Sequence, residues 1–80
     1  MKVKFYGRLA DAIGTEVDFA AEPGCSVSEL RDRIAEAHPE SSEHLCSARA
    51  RTCVAGVIVR DDYRLRAGET AEFLPPVSGG

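Results

Sequence analysis

The chain has 80 residues, 44% of them hydrophobic and 29% charged, with a formal net charge of −3. That length allows one domain with a small core, and the composition is that of a folded globular protein rather than a disordered one. Residues 1–40 carry five basic and eight acidic groups and residues 41–80 five of each, so neither half has the basic stripe of a nucleic-acid binder. No apolar run approaches the ~18–20 residues of a membrane span.

Lys2 to Tyr6 alternates polar and apolar residues, which predicts a half-buried strand with Val3 and Phe5 inward and Lys2, Lys4 and Tyr6 outward. The chain enters this strand at once, without an apolar leader region, so the cytoplasm is the expected compartment. Arg8 to Ile13 reads as a short helical turn, with Leu9 and Ile13 at i, i+4 spacing and Gly14 as its C-cap. Glu16 to Ala20 alternates again, with Val17 and Phe19 inward, and Glu22-Pro23-Gly24 ends it as a turn.

Ser26-Val27-Ser28-Glu29 is a capping-box pattern opening the main helix. Val27, Leu30, Ile34 and Ala37 recur on one face, with Glu29, Arg31, Asp32, Arg33 and Glu36 elsewhere. His38-Pro39 marks its exit, since the residue before proline disfavours helical dihedrals. Ser41 to Cys46 suits a short second helix. Thr52–Ala55 and Val57–Arg60 form two short strands around Gly56, Asp61-Asp62 turns the chain, and Gly68 suits a positive φ. Thr70 to Leu74 is the last strand, with Ala71 and Phe73 inward, ended by Pro75 and Pro76, which cannot donate to a ladder.

Two strands, a crossover helix and further strands describe an α+β β-grasp roll, a mixed sheet packed on one main helix. The first and last strands lie side by side in parallel, because the helix provides the crossover. The domain spans residues 1–76 and an extended tail covers residues 77–80.

Cys25, Cys46 and Cys53 are odd in number and lack C-x-x-C spacing, which argues against a disulfide framework or a zinc site and suits small semi-buried residues in a reducing compartment. His38 and His44 suit capping or solvent-facing positions. No Ser/His/Asp, Cys/His or phosphate-loop constellation marks a freestanding enzyme. The unusual feature is the tail itself. Gly79-Gly80 after Pro75-Pro76 offers backbone without Cβ atoms, able to enter a narrow channel, on a stiff base that directs it away from the sheet. Val77 to Gly80 extended reaches roughly 13–14 Å. Leu74, with Tyr6 and Ile58 on the outward sides of their strands, makes a candidate apolar patch that anchors a partner at the base of this tail.

Val3-Lys4-Phe5-Tyr6, Arg8-Leu9-Ala10, Ile13-Gly14, Val27-Ser28-Glu29-Leu30, Leu65, Ala67-Gly68-Glu69 and above all Phe73-Leu74-Pro75-Pro76-Val77-Ser78-Gly79-Gly80 resemble the MoaD/ThiS family of ubiquitin-like sulfur carriers, and within it the small subunits of molybdopterin synthase. Two positions depart from that pattern, Ala55 where relatives often carry Asn and Glu69-Thr70 where they often carry Asp-Glu. The resemblance implies a carrier subunit without catalytic activity of its own and without a bound cofactor. It implies that Gly80 is adenylated by a ubiquitin-activating-type adenylyltransferase that uses ATP, and is converted to a thiocarboxylate by a sulfur donor protein. It further implies delivery of sulfur to a pterin precursor in the large subunit, within a heterotetramer. Carriers for thiamine, cysteine or tRNA thiolation, and ubiquitin-like protein modifiers, share the same tail logic.

Overall fold

The computed structural model describes residues 1–46 and 50–74. Pro75, Pro76, Gly79 and Gly80, together with the rest of the tail, lie outside the described residues.

Five strands form one mixed sheet in the order β2-β1-β5-β3-β4. They are β1 (Lys2–Phe5), β2 (Glu16–Asp18), β3 (Arg51–Val54), β4 (Val57–Val59) and β5 (Ala71–Leu74). Helix α1 (Arg8–Ile13) joins β1 to β2, the main helix α2 (Val27–Ala37) crosses to the other half, and a 3-10 turn over Pro39–Ser41 runs into α3 (Ser42–Leu45). β1 pairs antiparallel with β2 and parallel with β5, with Val3 opposite Ala71 and Phe5 opposite Phe73. The β-grasp expectation is therefore met, including the parallel central pair.

The alternation places the core. Val3, Phe5, Ala71 and Phe73 are all buried, and the Phe5 and Phe73 rings stack at 5.9 Å between centroids. Leu9, Val27, Leu30, Ile34, Leu45, Val54 and Leu65 complete this layer between sheet and helices. Phe19 lies just beyond β2, half-buried, with its ring edge-on to Phe5 at 6.3 Å. Ala37 departs from expectation. It is exposed, because α2 ends there with His38 as C-cap, while Ala35 packs on the core instead.

The N-terminus of α2 is closed by three acceptors. The Val27 and Ser28 amides donate to the Tyr63 and Asp61 carbonyls at 2.9 and 3.0 Å, and the Glu29 amide donates to Ser26 Oγ at 3.1 Å. These account for three of the four donors that a helix start leaves without intrahelical partners. The reciprocal arm of the capping box takes a different form: the Ser26 hydroxyl donates to Glu29 Oε1 at 3.3 Å. Arg31 also departs from its place on the polar face of α2. Its side chain is only 14% exposed, because it reaches across to β3 and the turn after β4, pairing with Asp61 Oδ1 at 2.8 Å and donating to Thr52 Oγ1 at 3.3 Å.

β3 and β4 meet in a two-residue turn with Ala55 at φ 52° and Gly56 at φ 80°. Positive φ at both central residues is the type I′ pattern, whose twist matches that of paired strands. The segment before β5 is held by Glu69, whose carboxylate accepts from the Arg66 amide at 2.7 Å and from the Tyr63 hydroxyl at 2.8 Å. Those two bonds, the backbone bond foremost, hold the Glu69 carboxyl below its usual range.

Candidate functional site: the open sheet face at the base of the tail

Because successive side chains on a strand alternate, burying Val3, Phe5, Ala71 and Phe73 sends their neighbours to the opposite side of the sheet. The registers put Glu16, Lys4, Glu72, Cys53 and Ile58 in one row across all five strands. In the adjacent row, Leu74 pairs with Arg51 of β3. Continuing the β1–β5 register by one step sets Tyr6 beside Leu74. The face is thus charged over β2 and β1 and more apolar towards β4.

Tyr6 and Ile58 are exposed, at 41% and 63%, as the alternation predicts. Leu74 points to the same side but is half-buried rather than exposed. It sits on a central strand, where side chains from β1 and β3 shade it from both sides, whereas Ile58 stands on the edge. Tyr6 and Leu74 are neighbours. Ile58 stands two strands away from Leu74, about 10 Å at normal strand spacing, with Cys53 of β3 between them in half-buried position. The patch is therefore a strip rather than a cluster around Leu74.

Three residues of this strip carry weight that side-chain type alone did not mark. Cys53 fills its middle. Glu72 accepts a hydrogen bond from the Tyr6 hydroxyl at 2.6 Å, which fixes the ring across the β1–β5 seam. That bond, foremost, raises the Tyr6 phenol above its ordinary pKa of 10.0, since the neutral form is the donor. Arg51 borders Leu74 from β3. The alternation Thr52-Cys53-Val54 would have placed Cys53 on this face had the pairing of β3 with β5 been known. Beside Tyr6, a groove of about 450 Å³ runs along Lys4, Gly7, Ala10, Thr15 and Glu16.

Of the three cysteines, all are free: Cys25 is buried, Cys53 half-buried and Cys46 exposed, so the semi-buried expectation fails for Cys46. Among the described residues, no helix is long and apolar enough to cross a membrane.

β5 thus carries the end of the core at Phe73 and the half-buried Leu74 on the open face, and in sequence Pro75, Pro76, Val77 and Ser78 follow before the Gly79-Gly80 segment. A family model for the ThiS family matches residues 3–80, from β1 through that segment. The chain belongs to the ThiS family. Among solved structures, subunit 1 of a putative molybdopterin-converting factor from Pyrococcus furiosus is similar at 26% identity, with 95% of each chain covered and a TM-score of 0.81. SAMP1 from Haloferax volcanii matches at 22% identity, over 99% of this chain and 97% of that one, with a TM-score of 0.82. A complex of subunits 1 and 2 of the molybdopterin-converting factor from Helicobacter pylori contains a chain 21% identical, covering 99% of this chain and 96% of that one, with a TM-score of 0.65. A comparison with curated protein sequences found no match. The fold of this ThiS-family chain is the ubiquitin-like β-grasp shared with these structures.

Proposed function

We propose that this ThiS-family protein is the sulfur-carrier subunit of a molybdopterin synthase, acting in the cytoplasm through the carboxylate of Gly80. The observation that supports it most is the family match running through residue 80, which takes in the Gly-Gly segment together with β5. The likeness to subunit 1 of a molybdopterin-converting factor, and the Pro75-Pro76 base of the tail, favour this pathway over the carriers for thiamine, cysteine or tRNA thiolation.

The chemistry requires little of the carrier beyond its tail. A carboxylate is a poor electrophile. An adenylyltransferase of the ubiquitin-activating type joins Gly80 to AMP from ATP with loss of pyrophosphate. The outer sulfur of a persulfide on a donor protein then attacks the acyl carbon and displaces AMP, and a thiol cleaves the resulting acyl disulfide, forming a disulfide with the donor and leaving a thiocarboxylate on Gly80. The carrier next delivers this sulfur to a pterin precursor held by the large subunit, and its Gly80 returns as a carboxylate after hydrolysis. Gly79 and Gly80 let the backbone approach the nucleotide closely, and Pro75 and Pro76 lower the ordering cost when the tail enters a partner. Leu74, Tyr6 and Ile58 dock the partner on the open sheet face, and the large subunit and carrier assemble as a heterotetramer.

Intact-mass measurement after incubation with ATP, a ubiquitin-activating-type adenylyltransferase and a sulfur donor tests the reading. An oxygen-to-sulfur mass change at Gly80, with dithiolene formation when the large subunit and precursor are added, supports it. An unmodified Gly80 under conditions that load a known carrier overturns it. Higher-mass conjugates to lysines of other proteins would instead indicate a ubiquitin-like modifier.

A further inference from the structure

The two edges of the sheet are treated differently. At β2, the outward side chains Glu16 and Asp18 are both charged, and Lys2 of β1 lies 3.9 Å from Glu16. Charged edges of this kind resist pairing with another chain. At β4 the residues are Val57-Ile58-Val59, and Val57 and Ile58 are 62% and 63% exposed. Among the described residues no strand pairs with the outer side of β4.

The backbone of this edge is ready to pair. In a two-residue hairpin the closing pair, here Val54 and Val57, exchanges both ladder bonds and the next pair does not. The Ile58 N–H and C=O therefore point away from β3, towards the free side.

We propose that β4 is a self-association edge, at which two copies of this chain pair their β4 strands antiparallel about a two-fold axis at Ile58. The sequence is its own complement in that register. Val57 falls opposite the second copy's Val59, Ile58 opposite Ile58, and Val59 opposite Val57, giving β-branched cross-strand pairs on both faces. The charges also select it. Arg60 falls opposite Gly56 and Asp61 opposite Ala55, so no like charges meet, whereas parallel pairing would set Arg60 on Arg60 and Asp61 on Asp61. A two-fold axis normal to the sheet joins two five-stranded sheets into one and leaves the two Leu74 residues facing opposite ends, with both tail bases open. The contact is three residues long, so its dissociation constant is on the order of 1 mM, the strength of a transient interface.

Sedimentation across a dilution series bracketing that value is expected to show a reversible monomer–dimer equilibrium. Val57→Lys, on the side of the sheet opposite Leu74, is expected to weaken the dimer at least tenfold with unchanged circular dichroism and unchanged sulfur loading of Gly80. Mild oxidation of Ile58→Cys, made together with Cys46→Ser and Cys53→Ser because Cys53 stands directly opposite position 58 and Cys46 is exposed, is expected to give a 58–58 disulfide, identified by peptide mass mapping, and this readout stands even if Val57→Lys does not fold. A wild-type protein that stays monomeric throughout, a dimer untouched by Val57→Lys, or crosslinks of Ile58→Cys that avoid 58–58 would each overturn the proposal. None of these results bears on whether Gly80 carries sulfur, because the loading assay is read on the monomer.

Discussion

Tyr6 and Glu72 are joined across the seam between β1 and β5, hydroxyl to carboxylate at 2.6 Å, on the open face of the sheet, with Glu72 two residues before Leu74 on the same strand. The chain's other tyrosine, Tyr63, makes the same kind of bond to Glu69 at 2.8 Å. Both phenols are raised above 10.0, each foremost by its bonded carboxylate. Ultraviolet titration of the folded protein should therefore show no tyrosine ionising at the ordinary value, and the denatured protein should show both there. Since the folded tyrosine values are raised, the stabilisation from these bonds is present up to the unfolded tyrosine pKa and disappears as pH rises through the folded ones, and because the Glu69 carboxyl is lowered, the share from Tyr63–Glu69 is also lost as pH falls through the folded Glu69 value. Glu72→Gln should return Tyr6 towards 10 and leave Tyr63 unmoved. A titration of the native protein that overlays the denatured one would refute the assignment.

Leu74→Asp should weaken binding of the proposed partner, a molybdopterin synthase large subunit, by about 2 kcal/mol, roughly 30-fold, if Leu74 is a central anchor. Ile58→Asp, at the exposed end of the strip, should cost less. Calorimetric titration against the large subunit decides this, with circular dichroism as the control because Leu74 is half-buried. Equal losses at both positions would mean that the anchor lies nearer β4, and no loss at Leu74 would remove it from the interface.

Ala55 holds φ 52° at the first central position of the β3–β4 turn. A left-handed conformation costs an alanine about 1–2 kcal/mol, and asparagine adopts it more readily. Ala55→Asn should stabilise the domain by about 0.5–1 kcal/mol, which for a chain of this size raises Tm by a few degrees. Thermal unfolding measures it. An unchanged or lower Tm would show that the turn carries no strain.

Leu30 is fully buried in the middle of α2. Leu30→Ala should cost about 2–5 kcal/mol, against a total of about 4–12 kcal/mol expected for a domain of this length. Ser26→Ala, which removes only the helix cap, should cost about 1 kcal/mol. Urea unfolding of the two variants should rank them in that order, and reversal would place the main support of α2 at its cap rather than in its packing.

Much of this architecture is legible from side-chain pattern because pattern and packing coincide in it. Val3 and Phe5, and Ala71 and Phe73, alternate with polar residues, and the two pairs bury against each other across the parallel seam. Pattern fails where a partner far along the chain changes the cost of burial. Arg31 counts as a surface residue by type, yet Asp61, thirty positions later, makes its near-burial tolerable. Leu74 counts as outward by alternation, and it is, but only strand order reveals that neighbours shade it on both sides. Cys53 has no motif, and its place in the middle of the patch depends on which strand stands beside β5. The Gly-Gly segment is the opposite case: its chemistry is read from residue type and family likeness, while its conformation lies outside the described residues.

The central position of β5 bears on the timing of synthesis. Its partners β1 and β3 are made early and midway, yet neither the parallel seam nor the Phe5–Phe73 stack can exist until residues 71–74 have left the ribosome. The sheet halves, β2-β1 and β3-β4, have no common edge before then. Folding of this domain is therefore gated by β5, and a truncated or nascent chain lacks both the Phe5–Phe73 stack and the Tyr6–Leu74 pair on the open face. The open face of the sheet and the packed core are completed in the same step.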